Sequence, residues 1–216
     1  MKTNITKQDL INFEDEIANC FNNKQIRAPI HLQDGNLDQL IEIFKEVNED
    51  DWICTNWRSH SQCLLKGVSS QELKQAILDN KSISLCFAKH KIVSSAIVGG
   101  TIPIATGLAM DIKRKKQTNK VWCFLGEMTS TLGIFHENYE YSFNHQLPIT
   151  YVVEDNGKSV CTNTRNTWNN HQLPKEPEDI NLYEEGEIYK SKYLYYFKYN
   201  LDKYPHAGPG GKRIQF

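Results

Sequence analysis

The chain has 216 residues, 39% of them hydrophobic and 24% charged, with a net charge of −1. That length holds one sizeable domain with an arm or tail, the balance is that of a folded globular chain rather than a disordered one, and near-neutral charge leaves no electrostatic footprint for nucleic acid. No run of about 18 apolar residues suggests a membrane span, and the polar start Met1-Lys2-Thr3-Asn4 has no signal-peptide pattern.

The six cysteines are widely spread, without a CxxC pair, and read as reduced thiols. A cytoplasmic protein is expected. From Lys7 to Asn22 the apolar positions Leu10, Phe13, Ile17 and Phe21 recur at helical spacing, with Thr6 placed as N-cap. An extended linker, Ile26 to Leu32, leads to a turn at Asp34-Gly35. Asn36 is placed to cap a second helix whose face is Leu37, Leu40, Ile41, Phe44 and Val47.

Trp52-Ile53-Cys54 reads as a short strand, followed by the polar stretch Thr55-Asn56-Trp57-Arg58-Ser59-His60. Arg58 offers a bidentate fork for phosphate oxygens and His60 a second donor; the alternative is an ordinary surface loop with an Arg ion pair. Ser69-Ser70-Gln71-Glu72 is a capping box opening a helix through Leu73, Ala76 and Ile77. Ser82 to Ser95 has no clear period and is expected to be a loop near the site. Gly99-Gly100 lets a backbone run close to a ligand. Pro103 suits the first turn of a helix with Ile104, Leu108 and Ile112 on its buried side.

Val121 to Asn156 is the organising stretch: an apolar strand (Val121 to Leu125), a turn at Gly126-Glu127-Met128, a helix, a re-entry at Leu147-Pro148 and a second apolar strand (Ile149 to Val153). The right-handed crossover of such a βαβ unit leaves both strand ends on one edge of a parallel sheet. Glu127 and Asn156 therefore meet where ligands bind in open α/β sheets, positioned to hold a hard cation such as Mg²⁺ with a phosphate beyond it. Lys158 to Trp168 reads as polar loop, and Leu173 to Pro177 as a break. Ile188 to Tyr199, tyrosines interleaved with lysines, is expected to form a terminal hairpin packed on the domain, followed by a Pro/Gly-rich arm from Pro205.

These blocks together resemble the alpha subunit of the thiamine diphosphate-dependent 2-oxo acid dehydrogenases, the pyruvate, branched-chain and acetoin dehydrogenase group of the transketolase-like superfamily, in a shortened form. Trp57-Arg58-Ser59-His60 is similar to the family's Tyr-Arg-x-His block at the cofactor diphosphate. Ala96-Ile97-Val98-Gly99 with Pro103 is similar to its Gly-Ile-Val-Gly…Pro block, whose backbone holds the aminopyrimidine. Gly126-Glu127-Met128 stands where the diphosphate signature opens with Gly-Asp-Gly, and Asp155-Asn156 where it closes with an Asn pair. Glu127 thus replaces a metal-binding Asp and Met128 a Gly. The family's late His-rich phosphate loop finds no counterpart, His206 included.

The resemblance implies an α/β thiamine diphosphate-binding fold, a mainly parallel sheet flanked by helices, in three parts: N-terminal helices over 1–50, the diphosphate- and Mg²⁺-binding domain over 51–172, and a tyrosine-rich C-terminal segment over 173–216. It implies cofactor contacts from Trp57, Arg58, His60, Ala96, Val98, Gly126, Glu127, Met128, Asn156 and Lys158, with His60 as the catalytic residue. Glu127, the Asn156 amide and the Lys158 carbonyl would take Mg²⁺. It further implies a beta-type subunit in an α2β2 heterotetramer, and a 2-oxo acid or sugar substrate that is decarboxylated or cleaved at a C–C bond. The changes at Glu127 and Met128 also support a second reading, a non-catalytic subunit that keeps the fold and the partner but has lost the metal and cofactor.

Overall fold

The computed structural model describes residues 4–168, 186–206 and 214–216. Helix α1 spans Lys7–Asn22 as predicted. The Thr6 hydroxyl accepts from the Asp9 N–H (3.2 Å) and the Asp9 carboxylate accepts from the Thr6 N–H (2.8 Å), a reciprocal cap that satisfies two otherwise orphan donors. Helix α2, Leu37–Phe44, starts after Asn36, but the Asn36 side chain makes no cap. It donates instead to Glu154 (2.9 Å), trading a local bond for one across the domain.

The strands are β1 Trp52–Thr55, β2 Cys86–Phe87, β3 Ile92–Ser94, β4 Val121–Gly126, β5 Ile149–Asp155, β6 Lys158–Ser159, β7 Thr162–Asn163, β8 Tyr189–Lys190 and β9 Leu194–Lys198. Between them run α3 His60–Leu65, α4 Ser70–Leu78, α5 Thr101–Arg114, α6 Gly133–Asn144 and α7 Thr164–Thr167. Seven strands form one sheet in the order β2-β3-β1-β4-β5-β9-β8; β6 and β7 form a separate hairpin. The pairs β3/β1, β1/β4, β4/β5 and β5/β9 are parallel, and the outer β2 and β8 are antiparallel to their neighbours.

Side chains alternate across β4 and β5. Trp122, Phe124 and Val152 face a core made with α1 to α4. Val121, Cys123, Leu125, Tyr151 and Val153 face one made with α5 and α6. Burying each large apolar side chain contributes roughly 1.5–3 kcal/mol, so both faces of the sheet are held by helices, as parallel sheets require. All six cysteines are free. Among the described residues no helix is long and apolar enough to cross a membrane.

Besides the Asn36 cap, and the stretch 158–168, which was expected to be loop and forms β6, β7 and α7, three expectations change. First, residues 1–50 are no separate arm: Leu10, Phe13, Ile17, Leu40, Ile43 and Phe44 share one core with Ile53, Trp122 and Phe197. Second, 82–95 is no simple loop, since it supplies β2 and β3, and Ile92 pairs with Ile53 of β1; strands of two and three residues are too short to show a period. Third, one position of the expected α5 face changes, while Ile112 is buried and Leu108 packs against the core as expected. Ile102, Ala105, Thr106, Ala109 and Ile112 are buried while Ile104 is 47% exposed, because the small side chains let the helix close onto the sheet.

The tyrosine-rich segment does form the expected hairpin, with β9 running as a core strand parallel to β5. The break at 173–177 and the arm beyond His206 up to 213 lie outside the described residues.

The chain passes from β1 to β3 on one side, then crosses back to β4 on the other side of β1. The order reverses between β1 and β4, and a crevice opens beyond the carboxyl ends of strands at such a reversal. Those ends carry Asn56-Trp57-Arg58 and Gly126-Glu127-Met128.

Candidate functional site

A cleft of about 290 Å³ occupies this reversal point, and Trp57, Arg58, Val98, Gly126, Glu127, Met128, Asn156 and Lys158 all line it. Four polypeptide segments far apart in sequence thus meet. Two expected residues do not join them. Ala96 is exposed and lies outside the lining. His60 is fully buried: its Nδ1 lies 3.0 Å from Glu14 and its Nε2 2.9 Å from Ser82. With both ring nitrogens engaged inside the protein, His60 is neither a phosphate donor nor a residue that touches substrate.

Arg58 is braced on its backbone and its side chain. Its N–H donates to the Asn56 side chain (2.8 Å), forming an Asx turn, and its Nε donates to the Leu32 carbonyl (2.9 Å). The terminal guanidinium nitrogens form no hydrogen bond among the described residues, and Arg58 lines the cleft, which leaves a fork suited to phosphate oxygens.

Glu127 is 2% exposed, and its Oε1 is buried without a hydrogen-bond partner. Burial pushes its carboxyl up to about 8, the nearby Asp155 charge adds to the shift, and Thr164 and Arg165 oppose it. A carboxylate held this way is a group that a cation would stabilise. The Asn156 Oδ1 accepts one bond, from the Lys158 N–H (3.0 Å), and keeps a lone pair. In the β6/β7 hairpin Lys158 stands opposite Asn163, while the Gly157 carbonyl takes the Thr164 N–H (3.1 Å). The alternation of an antiparallel ladder then turns the Lys158 carbonyl outward. Carboxylate, amide and carbonyl oxygens form a hard donor set suited to Mg²⁺, and Glu127, Asn156 and Lys158 can supply it. Among the described residues no cluster of three or more His, Cys, Asp or Glu could hold a metal by itself.

Asp155 has a different task. Arg165 binds both its oxygens (2.8 and 2.6 Å), Tyr196 donates to it (2.5 Å), and the Gly157 N–H takes the remaining direction (2.9 Å). It buttresses the turn that presents Asn156. Met128, where a glycine was the expected pattern, has its sulfur 3.1 Å from the Trp168 Nε1 and 3.7 Å from the Thr131 hydroxyl. Gly126 is open: a Cβ there would meet nothing within 4 Å. Gly99, at φ +75, packs on Ile134 and Leu132 of the α6 side rather than on the cleft.

Two wall residues escaped the sequence. His206, set aside as a lone histidine in a Pro/Gly-rich tail, lines the cleft with its ring 4.3 Å from that of His31. Burial and the Arg58 charge hold His206 below its ordinary value; burial, with the His206 and Arg58 charges, brings His31 down to about 3. The signal was the parallel pairing of β9, which ends at the same sheet edge as β4 and β5. Gly35 admits this wall: its φ is +79, and a Cβ would stand 1.7 Å from the Asn200 carbonyl oxygen.

The other is Glu154, 5% exposed, lining the cleft floor and accepting from Asn36. Burial lifts its carboxyl from 4.5 to about 8, against the pull of Arg58 and Asn36. Because the folded value lies above the unfolded one, the folded chain holds a proton that the unfolded chain releases between those values. Glu154 therefore costs stability progressively as pH rises from about 4.5 to about 8. Glu154→Gln keeps the acceptor and cannot ionise, so it is expected to raise the urea midpoint at pH 8 relative to wild type and to narrow the difference at pH 5. An equal shift at both pH values would contradict this.

A family model described as the dehydrogenase E1 component matches residues 6–176. Among curated proteins, the chain is 27% identical over 161 residues to the alpha subunit of acetoin:2,6-dichlorophenolindophenol oxidoreductase from Bacillus subtilis, covering 69% of this chain and 48% of that protein. It is 27% identical over 180 residues to the pyruvate dehydrogenase E1 component subunit alpha of Porphyra purpurea, covering 71% and 52%. The acetoin subunit of Cupriavidus necator is 25% identical over 160 residues, covering 69% and 48%. The chain spans about half the length of these relatives.

Proposed function

This chain belongs to the dehydrogenase E1 component family, and on that premise we propose that it is the alpha-type subunit of a thiamine diphosphate- and Mg²⁺-dependent enzyme acting on a 2-oxo acid or ketose. The observation that carries this reading is the meeting, in one cleft at the sheet reversal, of the Arg58 guanidinium and the buried, unpartnered Glu127 oxygen. Diphosphate charge and a divalent cation suit those two groups together, and neither suits them alone.

When bound, thiamine diphosphate supplies an electron sink for decarboxylation or C–C cleavage next to a carbonyl. The residues of this chain bind and orient. Arg58 and Lys158 neutralise diphosphate oxygens from the two sides of the cleft, and His206 adds a donor from the C-terminal wall. Glu127, Asn156 and the Lys158 carbonyl hold Mg²⁺, with Asp155 and Arg165 fixing the turn between them. The backbone near Val98 borders the cleft. The named relatives are alpha subunits, so a beta-type chain in an α2β2 assembly is the partner this reading requires, with the proton-transfer groups for cofactor activation on that chain.

The non-catalytic alternative rests on the double change at Glu127 and Met128, both of which line the cleft. One experiment separates the two. In the assembled complex, thiamine diphosphate with Mg²⁺ at 100 times Kd is expected to stabilise the protein by about 2.7 kcal/mol, read as a rise in melting temperature. Asn156→Ala should remove the Mg²⁺-dependent part of that rise, and Glu127→Asp should keep it. No rise in the wild-type complex would favour the non-catalytic subunit.

A further inference from the structure

Glu14, His60 and Ser82 come from three segments, α1, the start of α3 and the stretch before β2, and are 1%, 0% and 0% exposed. Glu14 lies 3.0 Å from the His60 Nδ1, and the His60 Nε2 lies 2.9 Å from the Ser82 hydroxyl. Phe13 sets its ring at 81° to the imidazole, 6.2 Å away. A carboxylate only accepts, so Nδ1–H donates to Glu14, while Nε2 pairs with the Ser82 hydroxyl, and both ring nitrogens are satisfied. The order of groups is that of a hydrolase triad, but the serine is sealed and none of the three lines the cleft, so no substrate reaches it.

The relay is an expensive way to hold a fold. The second Glu14 oxygen is buried without a partner, and apolar side chains of similar volume would serve packing as well or better. Its position suggests what it does. His60 is the first residue of α3, two places after Arg58, and the Ser59 side chain between them makes no helix cap. The turn that presents Arg58 is held on its upstream side by Asn56. Its downstream side has no cap, and the fixed point there is the His60 ring, tied to α1 and to Ser82.

We propose that Glu14, His60 and Ser82 form a positioning relay that holds the Arg58 turn in register for a diphosphate group, a role that rests on the cofactor reading above. His60 acts through Arg58 and touches no ligand.

The test is a double-mutant cycle between the relay and Arg58, with thiamine diphosphate and Mg²⁺ affinity measured by calorimetry on the assembled complex. Ser82→Ala is expected to weaken binding by about tenfold, and to cause no further loss in an Arg58→Ala background. Glu14→Ala should behave like Ser82→Ala, while Glu14→Gln, whose amide oxygen still accepts from Nδ1, should bind within about threefold of wild type. The Glu14 pair decides the matter if Ser82→Ala does not fold. Wild-type affinity in both Ser82→Ala and Glu14→Ala would overturn the relay and leave the cofactor reading standing. An equal loss in the presence and absence of Arg58 would also overturn it, because a general loosening does not act through one residue. If wild type itself does not bind, the cofactor reading fails and the relay with it.

Discussion

Arg58→Ala is expected to lower affinity for thiamine diphosphate by about 100-fold with little change in melting temperature. A paired set of charge-assisted hydrogen bonds to phosphate is worth about 3 kcal/mol in total, and Arg58 lines the cleft with terminal nitrogens that form no hydrogen bond among the described residues. Its structural bond to the Leu32 carbonyl is a single one at a half-buried site, so its loss costs about 1 kcal/mol. Calorimetric titration and a melting curve on the same variant separate the two effects. Binding within threefold of wild type would remove Arg58 from the diphosphate site.

Arg165→Ala is the second large effect, and it falls on stability. Asp155 is 2% exposed, and Arg165 binds both of its oxygens from a side chain that is itself 16% exposed. Removing one partner of a buried pair leaves the other charge uncompensated, at a cost of about 3–5 kcal/mol. Tyr196 and the Gly157 N–H still bond to Asp155, so the lower end is expected. Urea unfolding measures it directly. Metal affinity should also fall, because the same pair anchors the turn carrying Asn156 and Lys158. A loss under 1 kcal/mol would show that Asp155 finds solvent or another donor when Arg165 is gone.

The parallel β4-α6-β5 unit and its meeting of Glu127 with Asn156 could be read from sequence because long apolar strands, a helix between them and turn residues at each end agree on one topology. Helix α1 was equally clear, since its apolar spacing and the Thr6 cap point the same way. What the sequence hid follows from long-range pairing. His60 has the same local signature whether it faces a ligand or a buried carboxylate, and only the docking of α1 brings Glu14 to it. His206 reaches the cleft through the parallel placement of β9, which leaves no local pattern, whereas Glu154 stands there at the end of β5, where its burial and its bond from Asn36 are long-range. On α5 hydrophobicity favoured Ile104, which is exposed, whereas the small residues Ala105 and Ala109 let the helix approach the sheet closely.

The most direct test of the cofactor site is a calorimetric titration of the chain, assembled with a beta-type partner, with thiamine diphosphate in Mg²⁺ and again in excess chelator. Saturable binding at one site per chain in Mg²⁺, weakened at least tenfold by the chelator, is the predicted result. No binding in either condition would contradict the assignment of the cleft to a metal-bridged diphosphate.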